Sequence, residues 1–299
     1  MTAQAIWILI AAVIAAVLIW SILIERNWYA IRRESVRILP RGAEPITVLH
    51  IGDLHIAPWQ RGKIRWVQKL VELNPDLVVN TGDNLGHIDA VEPALKALAP
   101  LMRKSGVFVN GSNDLRAPVP RNPLQYLRKP SERSDGPDID AAKLHAGFRA
   151  AGWLNLNNRE GQLTINGVRI GFMGVDDAHD ELDDLASLEG QRNRIDGNAL
   201  IIGVTHAPYM RVLEAMTIDG ASLIFAGHTH GGQVCIPGFG ALTTNCDLPV
   251  AYAKGLSSWK FGNRHSVLNV VAGLGHSIYA PVRFACRPEV RFLTLLPRV

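Results

Sequence analysis

Asp53 and His55 stand two residues apart in ITVLHIGDLH, and His228 and His230 stand two apart in SLIFAGHTHGG. Between these pairs come Asp83 in DLVVNTGDN, Asn113 and Asp114 in GVFVNGSND, and His206 in ALIIGVTH. Imidazole, carboxylate and amide groups without thiolate suit Mn, Fe or Zn. In an extended backbone, side chains two apart point to one face and can bind a single cation. Asp53, His55, Asp83, Asn113, His206, His228 and His230 outnumber the four ligands that one zinc takes, so two divalent ions are expected. Two such ions outweigh the charge of Asp53 and Asp83. The surplus would draw a phosphate and stabilise both its attacking and leaving oxygens.

Each of these residues closes an apolar run that reads as a buried strand entering a loop. Further strands are expected at VRIGFMGV, SVLNVVAGL and VRFLTLL, and a helix over residues 63–73. Strands alternating with helices predict an α/β fold or layered sheets with flanking helices. Loops at the carboxyl ends of such strands meet in one crevice. Packing alone does not explain so many polar groups there, because each would need a partner of its own.

The chain has 299 residues, 47% hydrophobic, 19% charged and 7% aromatic, a globular composition with an apolar surplus. A net charge of +4 is too mild for a dedicated nucleic-acid binder, so no nucleic-acid partner is expected. Cys235, Cys246 and Cys286 form no CxxC pair and are read as buried free thiols. Residues 5–24 contain no charge and are long enough to cross a bilayer as a helix. Arg26, Arg32, Arg33, Arg37 and Arg41 follow, with Trp28 and Tyr29 suited to the interface. The positive-inside rule then predicts a single-pass protein whose large carboxyl-terminal part is cytoplasmic. The expected organisation is an anchor at 1–25, a basic juxtamembrane linker at 26–45 and a globular domain at 46–299. Residues 118–140, rich in proline, read as an irregular insertion, either a lid or a solvated excursion. The acidic run at 176–184 reads as a solvated loop, its carboxylates following no fixed ligand spacing.

The blocks GDLH (52–55), TGDN (81–84), GSND (111–114), THAP (205–208) and GHTHGGQ (227–233) resemble, in order and spacing, those of the calcineurin-like metallophosphoesterases. The segment GLGHSIYAPVRFACRPEV is similar to the corresponding part of their bacterial membrane-associated branch. The resemblance implies two packed mixed β-sheets flanked by helices, here preceded by one transmembrane helix. It implies a metal-dependent phosphoesterase, acting on a diester ahead of a monoester, in which a bridging hydroxide attacks phosphorus at a dinuclear centre. Asp83 would bridge the ions. Asp53, His55 and His230 would complete one shell, and His206, His228 and an Asn of the third block the other.

That third block departs from the family pattern G-N-H-[DE], since Ser112 stands where the ligating Asn is expected and Asn113 where the proton-donating His is. A local shift that lets the Asn113 amide oxygen reach the metal is favoured over Ser112, because an amide oxygen is the better donor. The general acid must then come from elsewhere, and His87, just past Asp83, is the nearest candidate. The rival function is a membrane-tethered metal-binding regulatory module with weak or no turnover. No GxxxxGK[ST], HExxH or GxSxG motif supports kinase, metallopeptidase or serine-hydrolase chemistry. The anchor favours a phospholipid, a nucleotide-linked lipid or another membrane-bound phosphodiester as the phosphate ester, with a soluble nucleotide the alternative.

Overall fold

The computed structural model describes residues 2–122, 130–131, 135–197 and 199–299. The insertion expected over 118–140, with its lid reading, therefore lies partly outside the described residues. In chain order the strands are β1 (Ala30–Leu39), β2 (Ile46–Ile51), β3 (Leu77–Asn80), β4 (Ser105–Phe108), β5 (Leu154–Asn155), β6 (Glu160–Ile165) and β7 (Val168–Gly174). There follow β8 (Leu200–Val204), β9 (Leu223–Ala226), β10 (Cys235–Ile236), β11 (Gly240–Ala241), β12 (Gly255–Phe261), β13 (Arg264–Val270) and β14 (Glu289–Pro297). The α-helices are α1 (Ala3–Ile19), α2 (Arg61–Lys69), α3 (Val91–Leu98), α4 (Ser112–Leu115), α5 (Ala141–Ala150), α6 (Ala186–Arg194) and α7 (Met210–Ile218).

One mixed sheet runs β1-β14-β2-β3-β4-β5 and the other β12-β13-β9-β8-β7-β6, with β10 and β11 forming a separate hairpin. The central parallel strands β3, β8 and β9 are almost wholly apolar because both of their faces are covered. Val48, Val79, Ile202 and Phe225 pack between the sheets. Their neighbours point outward, Leu49 and Val78 to a core shared with Ile64 of α2, Leu98 of α3 and Phe148 of α5. On the opposite side Ile201 and Ile224 share a core with Leu188 of α6 and Leu213 of α7. The result is the expected pair of mixed sheets between helical layers, with the parallel strands of both sheets ending along one edge.

Residues 30–39, within the 26–45 stretch expected as a linker, form β1 and belong to the first sheet. β1 pairs in parallel with β14 from Ala30↔Glu289 to Leu39↔Pro297. Its apolar side is real but hidden among arginines: Ile38 and Leu39 are buried, while Arg32, Arg33 and Arg37 face out. Charged side chains on an edge strand discourage pairing with other chains. No residue of α1 is buried. With the turns that continue it, the apolar stretch Ala3–Asn27 has 25 residues, about 37 Å of helix and enough to cross a membrane.

Candidate metal centre

The loops that follow β2, β3, β8 and β9 carry Asp53 and His55, Asp83, His206, and His228 and His230 to one place. Strand alternation does not align them. Asp53, His55, Asp83, His228 and His230 have φ of 48°, 41°, 53°, 67° and 50°, so these residues sit in tight left-handed turns beyond the strands. Non-glycine residues held there cost about 1–3 kcal/mol each, and such strain clusters where function over-determines the backbone. Glycines let the loops close up. A Cβ on Gly111 would stand 2.7 Å from His206 Cε1, and one on Gly227 would stand 2.6 Å from Asp53 Oδ2.

Asp83 Oδ2 lies 3.3 Å from His55 Nε2 and 3.6 Å from His206 Nε2. His230 Nε2 is 3.5 Å from Asp53 Oδ1 and 3.2 Å from His55 Nε2. The donor atoms of Asp53, His55 and His230 fall within 4.8 Å of one another, as do those of Asp53, Asp83 and His206. These two overlapping groups fit a divalent cation by chemistry as well as distance. His206 Nδ1 meets the Thr81 carbonyl at 2.7 Å, which fixes a proton there and turns the buried, unpartnered Nε2 to the cluster, where an incoming cation would displace its proton.

The field of the cluster favours positive charge. Burial opposes a charged His206, yet Asp83, Asp53 and Asp177 more than offset it and push the imidazole up to about 9. Burial pushes Asp53 up to about 7, against the pull of His206. Burial acts in the same sense on Asp83, but His206, His55 and two hydrogen bonds from Asn113 hold it below the ordinary carboxylate range. Burial takes His55 down to about 4 and His230 well below its ordinary value, leaving both imidazoles neutral as ligands must be.

His228 stands outside the two close groups. Its ring centroid is 5.3 Å from that of His206, and its Nε2 meets the Asn245 carbonyl at 3.1 Å, so Nδ1 carries its free lone pair. Asn113 contacts Asp83 twice, its backbone N–H donating to Oδ1 and its side-chain NH2 to Oδ2, each at 2.8 Å. It therefore braces the carboxylate, with nitrogen rather than oxygen turned to it. Ser112 lines the neighbouring cavity. Asp114 ties two loops together, accepting from Asn84 N–H at 2.8 Å and Gly111 N–H at 3.2 Å.

His87 is not among the residues lining the cavity. Its ring packs edge-on against Trp59, and its Nδ1 accepts the Asp89 N–H at 3.1 Å. A different imidazole lines it: His179, whose ring centroid is 4.6 Å from that of His228. This corrects the expectation of a solvated acidic loop at 176–184, because Asp177, His179 and Asp180 are buried. Asp177 folds the turn back on itself, its carboxylate accepting the N–H groups of His179 and Asp180. The segment follows β7 as the other site loops follow their strands, and that shared placement was the signal available in the sequence.

Two buried basic side chains gather the loops from behind. Lys63 Nζ donates to the carbonyls of Leu54 at 2.9 Å and His55 at 3.3 Å. Arg283, fully buried, donates to the carbonyls of Gly275 at 2.6 Å, Ala272 at 2.8 Å and His230 at 3.0 Å. Of the cysteines, Cys235 and Cys286 are buried and Cys246 partly so, all as free thiols.

Comparison with known proteins agrees with this geometry. The Bacillus subtilis protein YpbG is 26% identical over 262 residues, covering 85% of this chain and 83% of its own. The Escherichia coli phosphodiesterase YaeI is 25% identical over 282 residues, covering 91% and 90%. A Danio rerio transmembrane protein with a metallophosphoesterase domain is 24% identical over 264 residues, and the chain spans 55% of its length. Residues 46–232, more than half of the sequence and the part that holds every residue of the close donor groups, match the family described as calcineurin-like phosphoesterase, and the chain belongs to that family.

Proposed function

We propose that the protein is a membrane-anchored phosphodiesterase that uses two divalent ions, Mn, Fe or Zn, and acts on a phosphate ester at the membrane surface, a lipid or nucleotide-linked lipid. The observation that carries this reading is the cluster itself: carboxylates and imidazoles in strained turns, with His55, Asp83, His228 and His230 on the wall of a cavity of about 370 Å³. Bound divalent ions would supply Lewis-acid polarisation of the phosphate and offset its charge. Asp53, His55 and His230 would hold one ion and His206 and His228 the other, with Asp83 shared and fixed in place by Asn113. His179 is the imidazole on the cavity wall outside these sets; its Nδ1 meets the Tyr209 hydroxyl at 3.1 Å and its Nε2 Ser131 Oγ at 2.8 Å, and it would donate to the phosphate by exchanging the Ser131 contact. Burial, then the nearby charge of His206, brings it down to about 4, so it is neutral at pH 7.

Turnover of bis(p-nitrophenyl) phosphate by the full chain with Mn²⁺ tests the reading, and no turnover above the metal blank overturns it. In that assay His179→Ala is expected to lower kcat by about 10²-fold, the usual effect of losing a hydrogen-bond donor at the reacting group. His87→Ala, outside the cavity, should stay within about twofold of the parent. The opposite ranking would restore His87. A metal-binding module with little turnover is the second reading, favoured by Asn113 standing where the family has a proton-donating imidazole. It predicts bound metal with no diester hydrolysis.

For orientation, the arginines after the helix support a cytoplasmic catalytic domain. Protease added to intact cells should then leave the domain whole, and digestion without lysis would reverse the assignment.

A further inference from the structure

We infer that the β10–β11 hairpin is a second, monotopic membrane contact that sets the mouth of the catalytic cavity against the bilayer. The inference deepens the phosphodiesterase reading and rests on it only for its kinetic arm. Between His230 and Asp247 the sequence contains no charged residue. Within that stretch Val234, Ile236, Phe239 and Leu242 are 41%, 48%, 73% and 42% exposed, an apolar display that a wholly aqueous surface does not favour.

What covers this surface follows from its continuity with the apolar helix. The last turns of that helix are fastened to residues 283–286. Arg283 N–H donates to the Ser21 carbonyl at 3.2 Å, and the Glu25 carboxylate accepts Cys286 N–H at 2.7 Å and Ala285 N–H at 3.1 Å. Trp20 and Trp28 meet edge to face beside this joint, as aromatic side chains do at a membrane interface. The same segment pairs with the start of the hairpin: Val234 bridges Phe284, and Cys235 N–H donates to the Phe284 carbonyl at 2.8 Å. From helix end to hairpin is thus two strand spacings, roughly 10 Å. A helix that crosses the bilayer holds the hairpin at the bilayer surface.

The cavity shares this wall. Val234, Leu242, Ala280 and Val282 line it together with His55, Asp83 and His230. An amphipathic phosphate ester can therefore keep its acyl portion along the apolar wall while its phosphate reaches the Asp and His cluster, without passing through water. Ile236 and Phe239 are not part of the cavity lining, which separates membrane contact from substrate binding.

The test uses the full chain in vesicles of phosphatidylcholine and phosphatidylglycerol, with p-benzoylphenylalanine in place of Phe239. Phe261 serves as the control position. It is the last residue of β12, paired with Arg264 at the far end of a seven-residue strand and about 20 Å from the site loops. Illumination should yield lipid adducts at position 239 and not at 261. No adduct at 239, or equal adducts at both, overturns the membrane contact whether or not the protein turns over any ester.

In the kinetic arm, Phe239→Ser with Ile236→Ser should lower kcat/KM about tenfold for a p-nitrophenyl phosphatidyl diester held in the vesicles. Hydrolysis of soluble bis(p-nitrophenyl) phosphate should be unchanged. Equal loss on both substrates would overturn the delivery role. Failure of the parent to hydrolyse either ester would count against the phosphodiesterase reading and leave the adduct result standing.

Discussion

Asp83→Asn is expected to remove diester turnover almost completely, by about 10³-fold or more, while the domain still folds. Asp83 is buried, and one of its oxygens lies between His55 Nε2 and His206 Nε2 at 3.3 and 3.6 Å. A unit charge about 4 Å from a cation is worth roughly 4 kcal/mol at an effective dielectric of 20, and that corresponds to about three decades in rate. Asparagine keeps the size and the hydrogen-bonding plane but discards the charge. Metal analysis beside the kinetics separates the causes: the variant should lose bound metal as well as rate. Full metal content and parental turnover would show that Asp83 is not shared between the ions.

Arg283→Met is expected to be the most destabilising single change near the site, by about 3–5 kcal/mol in thermal or urea unfolding of the solubilised chain. Methionine fills much of the volume but leaves the carbonyls of Ala272, Gly275 and His230 buried without their donor. Arg283→Lys should recover only part of the loss, because one ammonium cannot reproduce the planar fork. The effect should extend to metal affinity, since the His230 carbonyl is one of the groups held. Unfolding at the parental midpoint in Arg283→Met would mean that water or a backbone shift satisfies those carbonyls.

The parts of this architecture that were legible in the sequence are those where one rule dominates. The runs ending at Asp53, Asp83, His206 and His228 are continuous and β-branched, so both strand and loop could be read from composition. The apolar stretch preceding Glu25 carries its own signature. β1 was missed because an edge strand exposes one face, and arginines on that face masked the apolar side formed by Ile38 and Leu39. Asp177 and His179 were missed because an acidic run is ordinarily solvated, and only the three-dimensional packing shows these members turned inward. Arg283 gave no local signal: its partners lie at residues 230, 272 and 275, in loops that no spacing rule connects. Asp53 and His55 come together through left-handed turns and not through strand alternation, a backbone conformation that no spacing rule announces.

The strand order has a consequence for biosynthesis. β14 lies between β1 and β2, pairing with β1 from Ala30↔Glu289 onward and with β2 from Arg291↔His50 onward. The residues next to the apolar helix thus wait for a partner some 260 positions later in translation, as the Arg41 contact with the Val299 carbonyl also illustrates. Until that segment leaves the ribosome, β1 and the adjacent side of β2 are unpaired strand edges, and pairing with a neighbouring nascent chain competes with folding. So large a sequence separation makes closure of this sheet a slow, late step. Because residues 283–286 precede β14 and hold both the helix end and the His230 loop, the joint to the apolar helix and the Asp and His cluster mature together, after most of the domain has been made.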